Sequence, residues 1–387
     1  MKFTELRYQY PATRTYLGSP SVLRLDDSRI LATHDYFGPG CPRNHENEEH
    51  LTSVYRSEDD GMTWENITHV SNCYWSSLFS LGKSVYLIGT SQQYGSIVLR
   101  RSDDHGNTWT HPKDENTGLL FPGGRFREPP NYHCAPVPIL IRNGRLYRAF
   151  EDFVPTTRNT GWMASDFLSC VISCPVDADL LRRDSWTMSN KLRFDPAWVP
   201  KRWGNLECPG WLEGNVLTHP DGGLCNILRF HSAPLWDRAA MIRLSDDGRF
   251  LSFDPATGFM DFPGGMTKFT IRYDERTRLY FTVSNGNLEH GSPTNRSVLS
   301  MYCSADLRSW RHLTVLLQDD SGFSPEEAFR RTGFQYADWQ FSGGDIIFLV
   351  RTAYDGAHNF HDSNRITYHR IRDFRRMIGT GVPTPNQ

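Results

Sequence analysis

Three observations predict an all-β fold built from a repeated unit. First, Ser57-Glu-Asp59-Asp-Gly61-Met-Thr63-Trp64 and Ser102-Asp-Asp104-His-Gly106-Asn-Thr108-Trp109 share the pattern S-x-D-x-G-x-T-W. Cys303-Ser304-Ala-Asp306-Leu-Arg-Ser309-Trp310 is a third copy without the glycine, and Ser245-Asp-Asp247-Gly248-Arg-Phe250 is a shortened fourth. Related turns repeated in one chain imply a repeated structural unit. Second, aromatic residues make up 13% of the 387 residues, with 31 Gly and 23 Pro, which favours short strands joined by many turns. Third, pairs of apolar segments recur around Gly, Asn or Asp turns, the signature of a β-hairpin.

Taken in order, the units can be counted. The first pairs 21–25 with 30–34 across a turn at 26–28 and ends in the Asp59 box. The second pairs 75–81 with 85–89 across Gly82-Lys83 and ends in the Asp104 box. The third pairs 135–141 with 146–150 across Asn143-Gly144, and the fourth 214–218 with 225–230 across Asp221-Gly-Gly. The fifth pairs 268–273 with 279–284, and the sixth 339–342 with 346–351 across Gly343-Gly344. Six such units predict a β-propeller of four-stranded blades, with residues 3–8 completing the last blade and closing the ring. One catalytic domain over 1–387 is expected, without any helix of length. The loops at 122–125 and 196–203 are expected to carry substrate contacts.

Each box has a structural logic. Asp and Ser side chains bind backbone N–H groups just ahead and hold the turn shut. Gly supplies positive φ, and the Trp inserts between neighbouring sheets. The boxes are therefore staples, not chemistry.

A net charge of −2, from 42 basic and 44 acidic residues, gives no reason to expect nucleic acid or a membrane surface as partner. No segment approaches the ~18 apolar residues of a membrane span. The start has no leader-like stretch, so a cytoplasmic location is expected of the chain as numbered, or a secreted or periplasmic one if a leader precedes it. The eight Cys lack zinc-ligand spacing. Cys170 and Cys174, four residues apart in a strand, would lie about 13 Å apart, too far for a disulfide, so free buried thiols are expected.

Polar residues at the ends of the first two strands of each blade converge on one face of a propeller. They include His34, Tyr132, His133, Arg148, Glu213, Asn215, Arg229, His231, Lys268, Arg272, Asp338, Gln340, Arg351, His358, His361 and Asp362. Arg pairs with carboxylates, and His and Tyr move protons. The set therefore points to an anionic oligosaccharide.

The boxes resemble the Asp boxes of sialidase-like β-propellers. That resemblance implies three Arg on the substrate carboxylate, a Tyr nucleophile activated by Glu, and an Asp acid. The chain departs from it where the first Arg belongs in a Tyr/Phe-Arg-Ile-Pro motif. Here the stretch is Thr15-Tyr16-Leu17-Gly18-Ser19-Pro20, with Arg14 only nearby. A second resemblance rests on 18–23 with 33–38, on Asn131-Tyr132-His133-Cys134-Ala135-Pro136, and on 336–341 through 351–362. These segments look like the propellers of polysaccharide lyase family 42 and glycoside hydrolase family 145, which act on terminal rhamnose α-1,4-linked to glucuronate. This likeness implies seven blades and release of L-rhamnose by β-elimination. Tyr132 and His133 would move the protons, and Arg148 and Arg202 would neutralise the uronate. Arg229, His231, Lys268, Arg351 and His358 would contact substrate, and His34 would serve a hydrolase branch. The alternatives are an exo-glycosidase, either α-L-rhamnosidase or exo-α-sialidase, and a non-catalytic glycan-binding propeller. A hydrolase would draw paired carboxylates from Glu207, Glu213, Asp338 or Asp362. No cofactor is expected to be required, with calcium in the central channel, near His358, His361, Asp362 and Asp338, as a structural option.

Overall fold

A computed structural model of the protein describes residues 2–25, 28–125, 128–156, 162–286 and 294–379. Six antiparallel sheets follow one another along the chain, each a path of four strands, and they form the six blades of a β-propeller. The six units read from the sequence each nucleate one blade; Asp26 and Asp27 of the first predicted turn lie outside the described residues. The seventh blade implied by the lyase resemblance is not among these sheets.

The innermost strands of blades two, four, five and six are Tyr74–Leu81, Gly210–Thr218, Thr270–Asp274 and Gly333–Ser342. In blades one and three the inner strand is split, into Tyr16–Leu17 and Ser21–Arg24, and into Tyr132–His133 and Leu140–Arg142. The ring closes as expected from the sequence. Thr4–Tyr8 pairs antiparallel with Arg365–Ile371 as the outer strand of blade six, placing Thr4 opposite Tyr368.

Polar side chains bolt each blade to the next near the axis. Ser21 Oγ donates to Asp338 Oδ2 of blade six (2.8 Å) and accepts from Leu78 N of blade two (3.0 Å). Val137 N donates to Ser77 Oγ (3.1 Å), Asn226 Nδ2 to Ser169 Oγ (3.2 Å), and Ile271 N to Asn215 Oδ1 (3.0 Å). Thr270 Oγ1 donates to Ala337 O (2.9 Å). Buried hydrogen bonds of this kind satisfy the inner polar groups and fix blade register. Apolar clusters between the blades supply the packing, such as Phe194, Trp211, Phe230 and Ile242 between blades three and four.

The first two boxes have the geometry their sequence predicts. Ser57 Oγ accepts from Gly61 N (2.8 Å), and Asp59 accepts from Thr63 N (2.8 Å) and Thr63 Oγ1 (2.6 Å). Gly61 has φ +90°, and any Cβ there would overlap the Tyr368 ring. Trp64 packs edge-on against Tyr368 of blade six at 5.4 Å, so the box of blade one docks on the last blade. The Asp104 box repeats the bonds from Thr108 at 2.9 and 2.6 Å.

These bonds carry a pH dependence. The Thr63 hydroxyl and N–H hold the Asp59 carboxyl down at about 2. Burial opposes the same effect at Asp104, but its bonds from Thr108 prevail and lower it too. A carboxyl depressed on folding stabilises the native state above its unfolded pKa and loses that contribution as pH falls through the folded value. The thermal midpoint is therefore expected to fall between pH of about 4 and about 2, and less steeply in an Asp59→Asn/Asp104→Asn variant. Parallel melting curves of variant and parent down to low pH would contradict this.

Two further expectations are settled here. All eight cysteines are free and, Cys208 apart, buried. One α-helix, Pro325–Arg331, stands before blade six among the described residues and corrects the helix-free reading. Ser324 caps it by accepting from Glu327 N, Pro325 opens it, and Arg330 and Arg331 lie in its last turn. No helix among the described residues is long and apolar enough to cross a membrane.

Candidate active site

The site begins with three irregularities in inner strands. Pairing register jumps between Tyr74 and Ser77 in blade two, between Leu212 and Asn215 in blade four, and between Gln335 and Asp338 in blade six. Each bulge holds one non-glycine residue at positive φ: Trp75 (+47°), Glu213 (+59°) and Tyr336 (+54°). Such a conformation costs about 1–3 kcal/mol and is retained where it re-aims a side chain.

Two of these residues meet. Tyr336 Oη donates to Glu213 Oε1 at 2.6 Å, and Arg229 Nη1 donates to Glu213 Oε2 at 3.0 Å. Glu213 is only 2% exposed. Burial by itself would raise its carboxyl, but Arg229, His133 and the Tyr336 bond outweigh that and hold it below the usual value. Burial, reinforced by Glu213, pushes the Tyr336 hydroxyl up to about 12. At rest, therefore, the proton stays on Tyr336 and the carboxylate beside it is ionised.

Three buried arginines surround this pair. Arg229 comes from the second strand of blade four, Arg296 from the segment before Val298–Ser304 of blade five, and Arg351 from the second strand of blade six. Arg351 Cζ lies 5.0 Å from the Tyr336 ring centre and 4.3 Å from that of Phe37. Its Nη2 donates to His361 O at 2.6 Å, and Arg296 Nη1 donates to Gln335 Oε1. The Nε atoms of all three have no hydrogen-bond partner among the described residues. Burial, then the neighbouring Arg229, lowers Arg296 to about 10. Three guanidinium groups thus stand around the Tyr336–Glu213 pair, with only Arg229 bonded to its carboxylate.

Blade one contributes a buried carboxyl group beside the bulge of blade two. Asp35 accepts from Ser19 N (2.7 Å) and Trp75 N (3.0 Å), and burial raises its carboxyl to about 7. A Cβ at Gly18 would overlap Asp35 Oδ1, so the motif segment packs directly on that carboxylate. Arg351 of blade six lies over Phe37 of blade one.

A histidine dyad lies beside the bulge of blade four. His133 Nδ1 and Glu151 Oε2 are 2.8 Å apart, and Gly214 N donates to Glu151 Oε1 at 3.3 Å. The imidazole sits between Trp75 (4.5 Å), Phe167 (4.9 Å) and Tyr94 (5.9 Å).

Of the residues predicted from sequence, Arg229, His231, Arg351 and His133 gather here. Burial and Arg229 lower His231 to about 3. His358 stands at the edge, bonded to Asp362 at 2.7 Å and stacked on Tyr16. Others are placed elsewhere. Tyr132 faces away from His133, because adjacent strand residues point to opposite faces; it packs in the core of blades two and three under Lys191. Arg148 is 0% exposed, and its guanidinium bonds Ala135 O (2.6 Å), Ala149 O (2.6 Å) and Ser77 Oγ (3.1 Å), joining blades two and three. Lys268 Nζ donates to Ala337 O and Thr270 Oγ1 (both 2.7 Å), joining blades five and six. His34 is buried against Tyr55 Oη (3.2 Å), and burial lowers it to about 4. Arg202 is exposed on a rim groove with Trp198 and Trp203. Tyr336, Arg296, Glu151 and Asp35 are the site residues that the sequence reading did not assign.

The residues considered for calcium do not form one site. Asp338 binds Ser21 Oγ and Val22 N (2.8 and 2.9 Å), while His358 and His361 both bind Asp362. Arg148, Lys268 and Arg272 act electrostatically on Asp338 or are acted on by it, a setting ill suited to a cation. Among the described residues no group of three or more His, Cys, Asp or Glu is arranged to hold a metal.

No family model matches the chain, and no curated protein does. Solved structures do. An α-L-arabinanase of Penicillium chrysogenum, complexed with arabinobiose, superposes with TM-score 0.58 at 15% identity, covering 96% of this chain and 98% of that one. An α-L-arabinofuranosidase of Fusarium graminearum with an iminosugar inhibitor gives 0.59 at 14%, covering 96% and 98%. The Trypanosoma rangeli sialidase with sialic acid gives 0.57 at 14%, covering 94% of this chain and 55% of that one. At these identities the likeness is one of fold, and the shared fold is the β-propeller.

Proposed function

We propose that the protein is an exo-acting, retaining glycosidase for a terminal sugar acid whose carboxylate lies at the anomeric carbon, as in sialosides. The Tyr336–Glu213 pair inside three buried arginines carries this reading. Arg229, Arg296 and Arg351 would hold the carboxylate with charge-assisted bonds. Tyr336 Oη would attack the anomeric carbon while its proton passes to Glu213. A neutral tyrosine suits such a substrate, since a carboxylate nucleophile would be repelled by the sugar's own carboxylate.

The exo-glycosidase alternative thus fits better than β-elimination. Elimination as first read needs Arg148 and Arg202 on a uronate, and neither belongs to this cluster. The test is hydrolysis of 4-methylumbelliferyl and natural α-sialosides, with the anomer first released identified by NMR. Release with retention is expected. Inertness toward sialosides, with an unsaturated uronate formed from rhamnosyl-glucuronate oligosaccharides, would favour the lyase. Arg351→Met is expected to raise KM by roughly ten- to hundredfold, since a hydrogen bond to a charged group is worth about 1.5–3 kcal/mol. An unchanged KM would remove Arg351 from the clamp.

A further inference from the structure

A tyrosine nucleophile still needs a group to protonate the departing oxygen. We infer that this group is His133, aimed by Glu151, and that the aromatic wall around it receives the leaving alcohol; the inference rests on the glycosidase reading above.

Glu213 and the carboxylates on the blade-one and blade-six side of Arg351 have other engagements. Glu213 serves Tyr336 and Arg229. Both Asp35 oxygens accept backbone N–H groups, from Ser19 and Trp75, so Asp35 fixes the blade-two bulge. Glu49 accepts from Tyr74 Oη (2.7 Å) and Gly38 N (2.9 Å). Asp362 is bound by His358 and His361.

His133 is arranged differently. Glu151 takes its Nδ1, which selects the tautomer and leaves Nε2 as the nitrogen for proton transfer. The other oxygen of Glu151 accepts the N–H of Gly214, the residue after Glu213. One carboxylate therefore sets both the histidine and the bulge that presents the partner of the nucleophile. Trp75, Tyr94 and Phe167 flank the imidazole, and Trp162 extends this wall by packing on Phe167 (5.8 Å) and His231 (5.0 Å). Aromatic faces of this kind suit the apolar face of a sugar ring or an alkyl aglycone.

The steps balance. Imidazolium Nε2–H gives its proton to the glycosidic oxygen as the C–O bond breaks and Tyr336 Oη bonds to the anomeric carbon. The Tyr336 proton goes to Glu213. Neutral His133 then takes a proton from water, whose oxygen attacks the same carbon. Tyr336 leaves and recovers its proton from Glu213. The sum is glycoside plus water giving free sugar and alcohol.

The test compares an alkyl and a 4-nitrophenyl glycoside of the same sugar acid in the full chain. His133→Asn is expected to lose roughly a hundredfold or more on the alkyl glycoside and only about fivefold on the 4-nitrophenyl one, whose leaving group needs little protonation. Added azide should accelerate the variant on the aryl substrate and yield the glycosyl azide. Glu151→Gln, which keeps the ring in place, should show the same selectivity more weakly and serves if His133→Asn does not fold. Equal losses on both substrates, with no azide product, would overturn the assignment and leave His133 a structural group. If the parent protein cleaves neither glycoside, the glycosidase reading itself falls, and this inference falls with it.

Discussion

Tyr336→Phe is expected to lower kcat/KM by roughly 10⁴-fold, the largest catalytic effect of any single change in this protein. The substitution removes one oxygen and keeps the ring that Arg351 faces at 5.0 Å. It leaves Glu213 still bonded to Arg229 at 3.0 Å. Loss of one hydrogen bond to a buried carboxylate costs about 1–3 kcal/mol of stability, which a folded β-propeller can bear at assay temperature. Circular dichroism at that temperature separates folding from catalysis. Glu213→Gln should give a loss of similar size, and the double variant should lose little more, because the two groups act as one unit. Turnover by Tyr336→Phe within tenfold of the parent would end the nucleophile assignment and return attention to Glu213 and Glu151 as a carboxylate pair.

Trp339→Ala is expected to have the largest effect on stability, about 3–5 kcal/mol in urea unfolding. Trp339 is 0% exposed and lies in the cluster that joins blades five and six, with Phe281, Phe334 and Phe374. Its Nε1 donates to Thr270 O at 3.1 Å, and Arg272 Cζ stands 5.8 Å from its ring centre. Truncation leaves a cavity and an unpaired acceptor at the seam beside the ring closure. Met62→Ala, at a side chain 72% exposed, is the control and should stay within about 0.5 kcal/mol. Equal effects of the two changes would mean that the seam contributes nothing special.

Part of the buried cluster around Glu213 could be read from strand positions, and the rest was hidden for specific reasons. Arg229, His231 and Arg351 sit on regular second strands, where period two fixes the face. Tyr336 and Glu213 sit on bulges, and a bulge shifts facing by one residue, so alternation alone cannot say that they meet. Arg296 lies just before its strand begins, outside any periodic pattern. Arg148 and Lys268 were expected at the common site, but depth is not written in alternation, and both are taken up by neighbouring backbone carbonyls. The helix Pro325–Arg331 had a full capping signal; a single turn or two flanked by strands falls below the length at which hydrophobic periodicity speaks.

By itself the sequence determined the repeated hairpin unit, the Asp-box staples and the strand that closes the ring, while the structure decided for six blades over the seven that one resemblance implied. Each depends on residues close together in the chain, or on a repeat of such residues, and local hydrogen-bond chemistry is enough to specify it. Only the tertiary structure decided which polar groups share a site. Arg351 of blade six lies over Phe37 of blade one, and a side chain at Gly18 would overlap Asp35. Residues from opposite ends of the chain meet there because the ring closes, and no local pattern encodes that meeting.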